Sequence, residues 1–315
     1  MIRYLFGRIP SIIVVIFLSS IVAFLLPRLA PGDPAAIIAG PDATPEIIEA
    51  IRREAGLDQP LVVQYLNWAS GLLRGDLGTS YVNNRPITEL ILSRAESTLE
   101  LAALAALFMI GIALVLGVLG GSIRSRSGRT VIDIVSTAMI SMPAFLVGLV
   151  LIVVFGVVLK WLPVSGELNM SEDFFGGLQY LLLPAIAIAL SHAAVIARLL
   201  QTSMLTNRGE EFVDLATAKG ASPALITFRH VLPASLDTAV VAIGLRIGEL
   251  IGGAIIIEAI FSRSGLGQLM IQAIGTRDYF VVQALVIGAV IIAIMSQLIS
   301  EIVVASLDPR IRLES

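Results

Sequence analysis

Residues 214–233 read DLATAKGASPALITFRHVLP, and this polar island between two long apolar runs decides how the chain is organised. The spacing predicts two short helices with a sharp break between them. Lys219 ends the first, and Gly220 stands just past it, where a left-handed C-terminal cap wants glycine. Ser222 can cap the second, and Pro223 occupies its first turn, where a missing N–H costs nothing. A helical pair held between membrane spans offers a soluble partner a structured surface on which to do mechanical work. The alternative is an ordinary connection, because short loops between spans are often structured.

The apolar runs on either side are typical of the whole chain. Of its 315 residues, 57% are hydrophobic and 14% charged. A soluble domain carries about a quarter charged residues, so the composition is that of a membrane protein. The formal net charge of −3 gives no reason to expect a nucleic-acid partner. With no cysteine, the chain has no disulfide, thiol nucleophile or cysteine metal site.

Six spans are predicted, roughly at 9–29, 99–123, 131–159, 180–200, 234–261 and 281–307. The first is read as a retained span rather than a cleaved signal peptide, whose apolar core would be shorter, about 7–15 residues. A polar insert, 31–98, separates the first two spans. Orientation is set by basic residues near short loops. Arg3 and Arg8 precede the first span, Arg124, Arg126 and Arg129 come after the second, and Arg310 and Arg312 after the last. All fall on one side, with Arg208, Lys219 and Arg229. That side is therefore expected to be cytoplasmic, with both termini, and the insert extracytoplasmic. No repeat or long linker divides the chain. The expectation is one polytopic domain over 1–315, with 1–97 carrying the first span and insert and 98–315 a five-span core that contains the loop 207–233.

Within the 214–233 segment, Ala216, Ala218 and Gly220 are small enough for another surface to approach the backbone. Arg208, Lys219 and Arg229 balance Glu210, Glu211 and Asp214, so the basic face of a DNA-reading helical pair is lacking.

This stretch resembles the EAA loop of ABC importer permeases: EAA, three residues, Gly, nine residues, a hydrophobic residue, any residue, Leu and Pro. Asp214 stands at the Glu position, Leu215 and Ala216 at the Ala pair, Gly220 at the Gly, and Leu232-Pro233 at the end. Leu215 for Ala and His230 for the hydrophobic residue depart from the pattern. Other stretches resemble one branch, the dipeptide/oligopeptide/nickel permeases. They are Pro31-Gly32-Asp33-Pro34-Ala35, Gly56-Leu57-Asp58-Gln59-Pro60, Gln64-Tyr65 and Gly75-Asp76-Leu77-Gly78 in the first third. Later come Glu258-Ala259-Ile260-Phe261, Gly265-Leu266-Gly267, Arg277-Asp278-Tyr279 and Asp308-Pro309-Arg310. Ser264 stands where the branch usually has Pro.

The resemblance implies an all-α membrane protein with six transmembrane helices in the type I ABC importer permease fold. It implies a permease subunit of an ATP-driven importer of di- or oligopeptides in the bacterial inner membrane. The implied partners are a second related permease, two cytoplasmic ABC ATPases, an extracytoplasmic substrate-binding protein and the lipid bilayer. Asp214, Leu215, Ala216, Lys219, Gly220, Ala221 and Ser222 would form the helix that docks into an ATPase cleft. No cofactor is expected in this chain, with ATP and Mg in the ATPases. Consistent with that, neither lysine, Lys160 or Lys219, closes a phosphate-binding glycine loop. The cargo stays open among dipeptides, longer peptides, glutathione and nickel chelates.

The fifth span is the candidate for lining a path. Gly244, Gly248 and Gly252 make a stripe of small residues that admits a neighbouring helix. Arg246 and Glu249 project from roughly the opposite face and should turn to the bundle interior or a watery cavity, since a charge at mid-membrane costs about 2.5–3.5 kcal/mol or more. Two readings stand. They neutralise each other as an i,i+3 pair, or they meet the termini of a zwitterionic peptide. His192 of the fourth span is a further path candidate, although a lone membrane histidine is more often a packed, hydrogen-bonded residue, and no metal site is assigned. Pro143 and Pro184 should kink the third and fourth spans. Asp133 and Glu100 sit near span ends, where solvation is available. Leu266, Leu269, Met270, Ala273 and Ile274 recur at helical spacing with Gln268 and Gln272 opposite, the pattern of a surface amphipathic helix. Two rival classes are an intramembrane enzyme using Ser191, for which no nucleophile–base spacing argues, and a self-contained secondary transporter or channel.

Overall fold

A computed structural model describes residues 2–29, 33–40, 42–123 and 125–307. Arg124, Pro31-Gly32, Asp308-Pro309-Arg310 and Arg312 lie outside the described residues. In chain order the elements are α1 (Ile2–Leu25, extended by a 3₁₀ turn, Leu26–Leu29), α2 (Pro34–Ala39), α3 (Pro45–Glu54), α4 (Leu61–Leu73), β1 (Thr79–Ser80) and β2 (Arg85–Pro86). Next come α5 (Ile87–Ser122), α6 (Arg126–Ser141), α7 (Ala144–Leu151, widened into a π-helix over Ile152–Val158) and α8 (Phe174–Asn207). The rest is α9 (Glu211–Ala218), α10 (Pro223–Ile226), a π-helical stretch (Thr227–Val231), α11 (Leu232–Ile260), α12 (Leu266–Gly275) and α13 (Tyr279–Leu307).

Five helical segments are long and apolar enough to cross a membrane: Arg8–Leu29, Ile87–Ser122, Phe174–Asn207, Pro223–Ile260 and Tyr279–Ile299. The third expected span, 131–159, is instead a pair of helices, Arg126–Ser141 and Ala144–Val158, bent by 102°. Counted as one crossing it brings the total to six. Its corner is sharper than the expected kink. Met142 is extended, as the residue before a proline prefers, and Pro143 supplies no N–H to continue the ladder. Pro184 behaves differently: it is buried inside α8, which runs on as one helix.

The chain forms two compact units. Of the described residues, one unit comprises 98–263 and 293–307 with residues 2–4; the other comprises 5–97 and 264–292. In the first unit α8 packs against α6, α7 and α11. Its buried face is rich in alanine, including Ala185, Ala189, Ala193 and Ala197. Lipid tails are as apolar as leucine, so such helices associate through close packing rather than water exclusion. Helix α5 comes close to α8. A Cβ added at Gly120 would lie 2.6 Å from Gln201 Oε1, and one at Gly121 2.7 Å from Met204 Cβ.

In the second unit the insert folds onto the end of the first span. Phe24, Tyr65 and Trp68 pack ring to ring with centroids 5.4–6.1 Å apart. The Tyr65 and Ser20 hydroxyls are hydrogen-bonded at 2.8 Å. Asp33 caps α2 by accepting from Ala35 N at 3.0 Å and also pairs with Arg52. Gln64 donates to Leu57 O and Gln59 O and accepts from Arg28, which gives the 56–65 motifs a structural role. The β1–β2 hairpin clamps the corner before α13. Ser80 Oγ donates to Asp278, while Tyr81 Oη donates to Arg277 O and accepts from Tyr279 N. Burial pushes the Asp278 carboxyl above the usual carboxylate range, against the lowering effect of the Ser80 bond. It also pushes the Tyr81 phenol up. In α12, Leu269 and Ala273 are buried as expected, with Leu266 and Met270 beside them. Ile274, in the last turn, is exposed, so the packed face is narrower than the sequence pattern.

Candidate functional site

The segment 207–233 is the best-formed exposed feature of the first unit. Lys219 caps α9, and Gly220 takes φ +79°, the left-handed conformation foreseen for it. The Ala221 N–H then returns to Ala216 O at 3.1 Å and the Gly220 N–H to Thr217 O at 2.9 Å, closing a Schellman motif. Ser222 Oγ accepts from Leu225 N, with Pro223 in the first turn. The expected second short helix does not stand alone, because residues 223–260 run on as a single span. Pro233 shapes the join. It cannot donate to Arg229 O, so the helix widens and Leu232 N bonds Thr227 O instead, five residues back.

The elbow is tied to the bundle behind it. Arg208 donates through Nε to Gly121 O at 2.8 Å and through Nη2 to Thr227 Oγ1 at 2.7 Å. Asn207 Nδ2 bonds Ser235 Oγ at 2.8 Å. Among the seven residues expected to dock an ATPase, Asp214, Leu215, Lys219, Gly220 and Ser222 are exposed. Ala216 is buried in the core of its own unit with Ile226 and Val231, and Ala221 is half-buried against that core. The small side chain at 216 therefore admits the chain's own bundle, and the face open to another surface is correspondingly narrower. Its exposed large apolar groups are Phe212, Leu215, Leu225 and Phe228, of which Leu215 and Phe228 are the most exposed, at 58% and 62%.

The structure brings the three path candidates together. Arg246 Nη1 pairs with Glu249 Oε2 on α11, and His192 Nδ1 of α8 lies 3.5 Å from the same oxygen. The mutual neutralisation read from the i,i+3 spacing is thus present. The group is nonetheless not sealed: the Glu249 side chain is 50% exposed. Arg246 and Glu249 line a recess of about 460 Å³ together with Gly248, Leu199, Ser296 and Gln297. The glycine stripe contributes at one position: a Cβ on Gly248 would come 3.0 Å from Ser296 Cβ, whereas one on Gly252 would meet open space.

A second charged group escaped the sequence reading. Arg263 is fully buried, with Nη2 3.3 Å from Glu167 Oε1. Burial lowers its guanidinium pKa, while Glu167, Glu100 and Glu258 act to raise it. Glu258 is also fully buried and accepts from Thr98 Oγ1 at 2.6 Å. Glu100 accepts from Met170 N at 3.0 Å, and Asp133 from Gln201 Nε2 at 2.9 Å. Protein donors, where bulk solvation was expected, thus serve these two span-end carboxylates. Glu258 stood in a quoted motif, but its companions come from α5 and the loop before α8, which local spacing does not reveal.

Comparison with known proteins supplies the context. Residues 113–313 match the family model described as binding-protein-dependent transport system inner membrane component, and residues 1–102 match the N-terminal model of the same group. A probable peptide ABC transporter permease protein, y4tP, of Sinorhizobium fredii is 36% identical over 98% of this chain and 99% of its own length. The glutathione transport system permease protein GsiC of Escherichia coli O6:H1 is 34% identical over 99% of each chain. Among solved structures, a chain of the MetNI methionine ABC transporter, in an inward-facing conformation, matches with a TM-score of 0.58. The match has 20% identity and covers 70% of this chain and 96% of that one. This last likeness concerns the fold.

Proposed function

Because the chain belongs to the family of binding-protein-dependent transport system inner membrane components, we propose that it is the transmembrane permease subunit of an ATP-driven importer of di- and oligopeptides. It shares the translocation path with a second, related permease. Two cytoplasmic ATPases hold the ATP and Mg; this chain performs no chemistry. An extracytoplasmic binding protein delivers the cargo. The setting is the bacterial inner membrane with both termini in the cytoplasm, which the basic residues Arg8, Arg126 and Arg129 support.

The observation that carries this reading is the elbow, exposed on one side through Asp214, Leu215, Lys219, Gly220 and Ser222 and bonded to the bundle on the other through Arg208. An ATPase cleft that grips Leu215 can move α8 and α11 together. Nucleotide then biases the bundle between two packings with different access. Arg246 and Glu249 face the recess with opposite charge, which suits a cargo that carries both a carboxylate and an ammonium. Peptides and glutathione both do, and the names of the relatives include both. A nickel chelate is the third cargo class. The test is reconstitution with the ATPases: Leu215→Asp should release them or abolish ATP-driven uptake while the chain still assembles with its partner permease. Full uptake with a stably bound ATPase would reject the elbow as the coupling point. Isolating the complex and identifying what its binding protein carries assigns the cargo.

A further inference from the structure

Helix α4 lies outside every span, yet its surface is divided into two unlike faces. One face, with Gln64, Tyr65 and Trp68, looks to α1: Tyr65 is hydrogen-bonded to Ser20, both rings pack on Phe24, and Gln64 holds Arg28. At 100° per residue the opposite face carries Val62, Leu66 and Leu73. These three are 69%, 58% and 90% exposed. A stripe of this size on a helix facing water would be a liability; such faces mark an interaction surface.

The position of α4 relative to the first span identifies the occupant. Ser20 lies nine residues before the end of the span at Leu29, a distance of about 13 Å along the helix. The hydrocarbon core is about 30 Å thick in all. A helix whose tyrosine reaches that serine is therefore alongside the span, below its end, at the depth where interfacial helices settle, about 5–10 Å into the boundary. The same helix α1 also presents a lipid-like surface: Phe17, Leu18, Val22 and Leu25 are all exposed. Tyr65 and Trp68 supply the amphipathic rings that gather at a membrane boundary, and Arg28, next to the end of the span, is held against them by Phe24 O and Gln64.

We propose that α4 is an interfacial membrane helix, with Val62, Leu66 and Leu73 inserted among the acyl chains of the leaflet at the Leu29 end of the first span. Part of the insert is thereby a membrane-seated platform rather than a wholly aqueous domain. This inference rests on the membrane character of the chain and not on ATP-driven import, so either can fail alone.

The absence of cysteine makes the test direct, since one introduced thiol is the only label site. Nitroxides are placed at Leu66→Cys, Leu73→Cys and Val62→Cys in the full chain in liposomes. Val22→Cys serves as a lipid-facing reference and Glu46→Cys, on α3, as an aqueous one. Relaxation by oxygen, which concentrates in acyl chains, is compared with relaxation by a water-soluble nickel chelate. The expected result is an oxygen-to-nickel ratio at 62, 66 and 73 several-fold above that at 46 and close to that at 22. A ratio matching position 46 would place the stripe in water and overturn the proposal. Protection from both reagents would also overturn it, by assigning the stripe to a protein partner. Three sites on one face guard against loss of any single variant, and bromolipid quenching of a Leu66→Trp variant gives a second readout.

Discussion

Two arginine–carboxylate groups stand in the first unit of this protein, and they are built oppositely. Near the end of α11, Arg263 and Glu258 have no solvent exposure. Some four turns earlier, Arg246 and Glu249 are one-third and one-half exposed and border a recess. Both groups have the same chemistry, so the difference lies in access. Fixing charges out of contact with solvent requires every partner to be in place, and removing one leaves an uncompensated ion. An ion pair beside an open recess can exchange its partner for a ligand of matching charge. The sealed group is built to hold structure; the open one is the candidate for the proposed recognition of cargo.

The largest test of that contrast is Arg263→Met. Breaking a buried ion group typically costs about 3–5 kcal/mol, so thermal unfolding of the purified protein should fall steeply and the yield of assembled complex with it. Arg246→Gln, in a solvent-reached pair, should change stability by no more than about 1 kcal/mol. Equal losses at the two sites would erase the distinction. Next come Arg246→Gln and Glu249→Gln, measured by peptide uptake. Loss of a charge-assisted contact worth about 1.5–3 kcal/mol reduces uptake on the order of 10- to 100-fold with assembly intact; unchanged uptake in both would remove this pair from the path. A smaller effect is expected at the elbow. Gly220→Val places a branched side chain at φ +79°, a cost of about 1–2 kcal/mol, and should loosen ATPase coupling. Gly252→Ala, with open space around it, should leave both stability and coupling unchanged. A modest, pH-dependent effect is expected at Asp278, a buried carboxyl with a serine hydroxyl as its side-chain partner. Its raised pKa means that the folded state binds the proton more tightly than the unfolded chain. Stability should therefore be full below the ordinary carboxylate pKa and decline as pH rises through the raised one. Asp278→Asn should flatten that slope at a cost within about 1 kcal/mol, read from melting temperature against pH.

What the sequence revealed depended on how local each cause was. Gly220 and Ser222 were legible because a cap is decided within a few neighbouring residues. The Arg246–Glu249 pair was legible because helical geometry brings residues three apart together. His192 was recognised as a candidate, but its approach to Glu249 depends on the packing of α8 against α11, over a separation no periodicity records. Arg263 was missed altogether, since its carboxylates come from α5, α11 and the loop before α8. Pro143 announced a disturbance without its size: a proline states that a hydrogen bond is lost, and the surrounding packing sets the 102° corner. Pro184 shows the converse, a proline that a well-packed helix carries without interruption. The membrane-spanning fold and its order were written in the apolar runs; the two-faced character of α4 emerged only once Tyr65 was seen against Ser20.

The side chain of Arg208 has a mechanical consequence. By holding the last residues of α5 through Gly121 and the first turns of the fifth span through Thr227, from its own seat at the end of α8, it mounts the elbow at three points. A displacement applied to the exposed side of the elbow, as the proposed coupling requires, would be shared among three helices. Stiffness of that kind turns a small push at the surface into a movement of the whole bundle end.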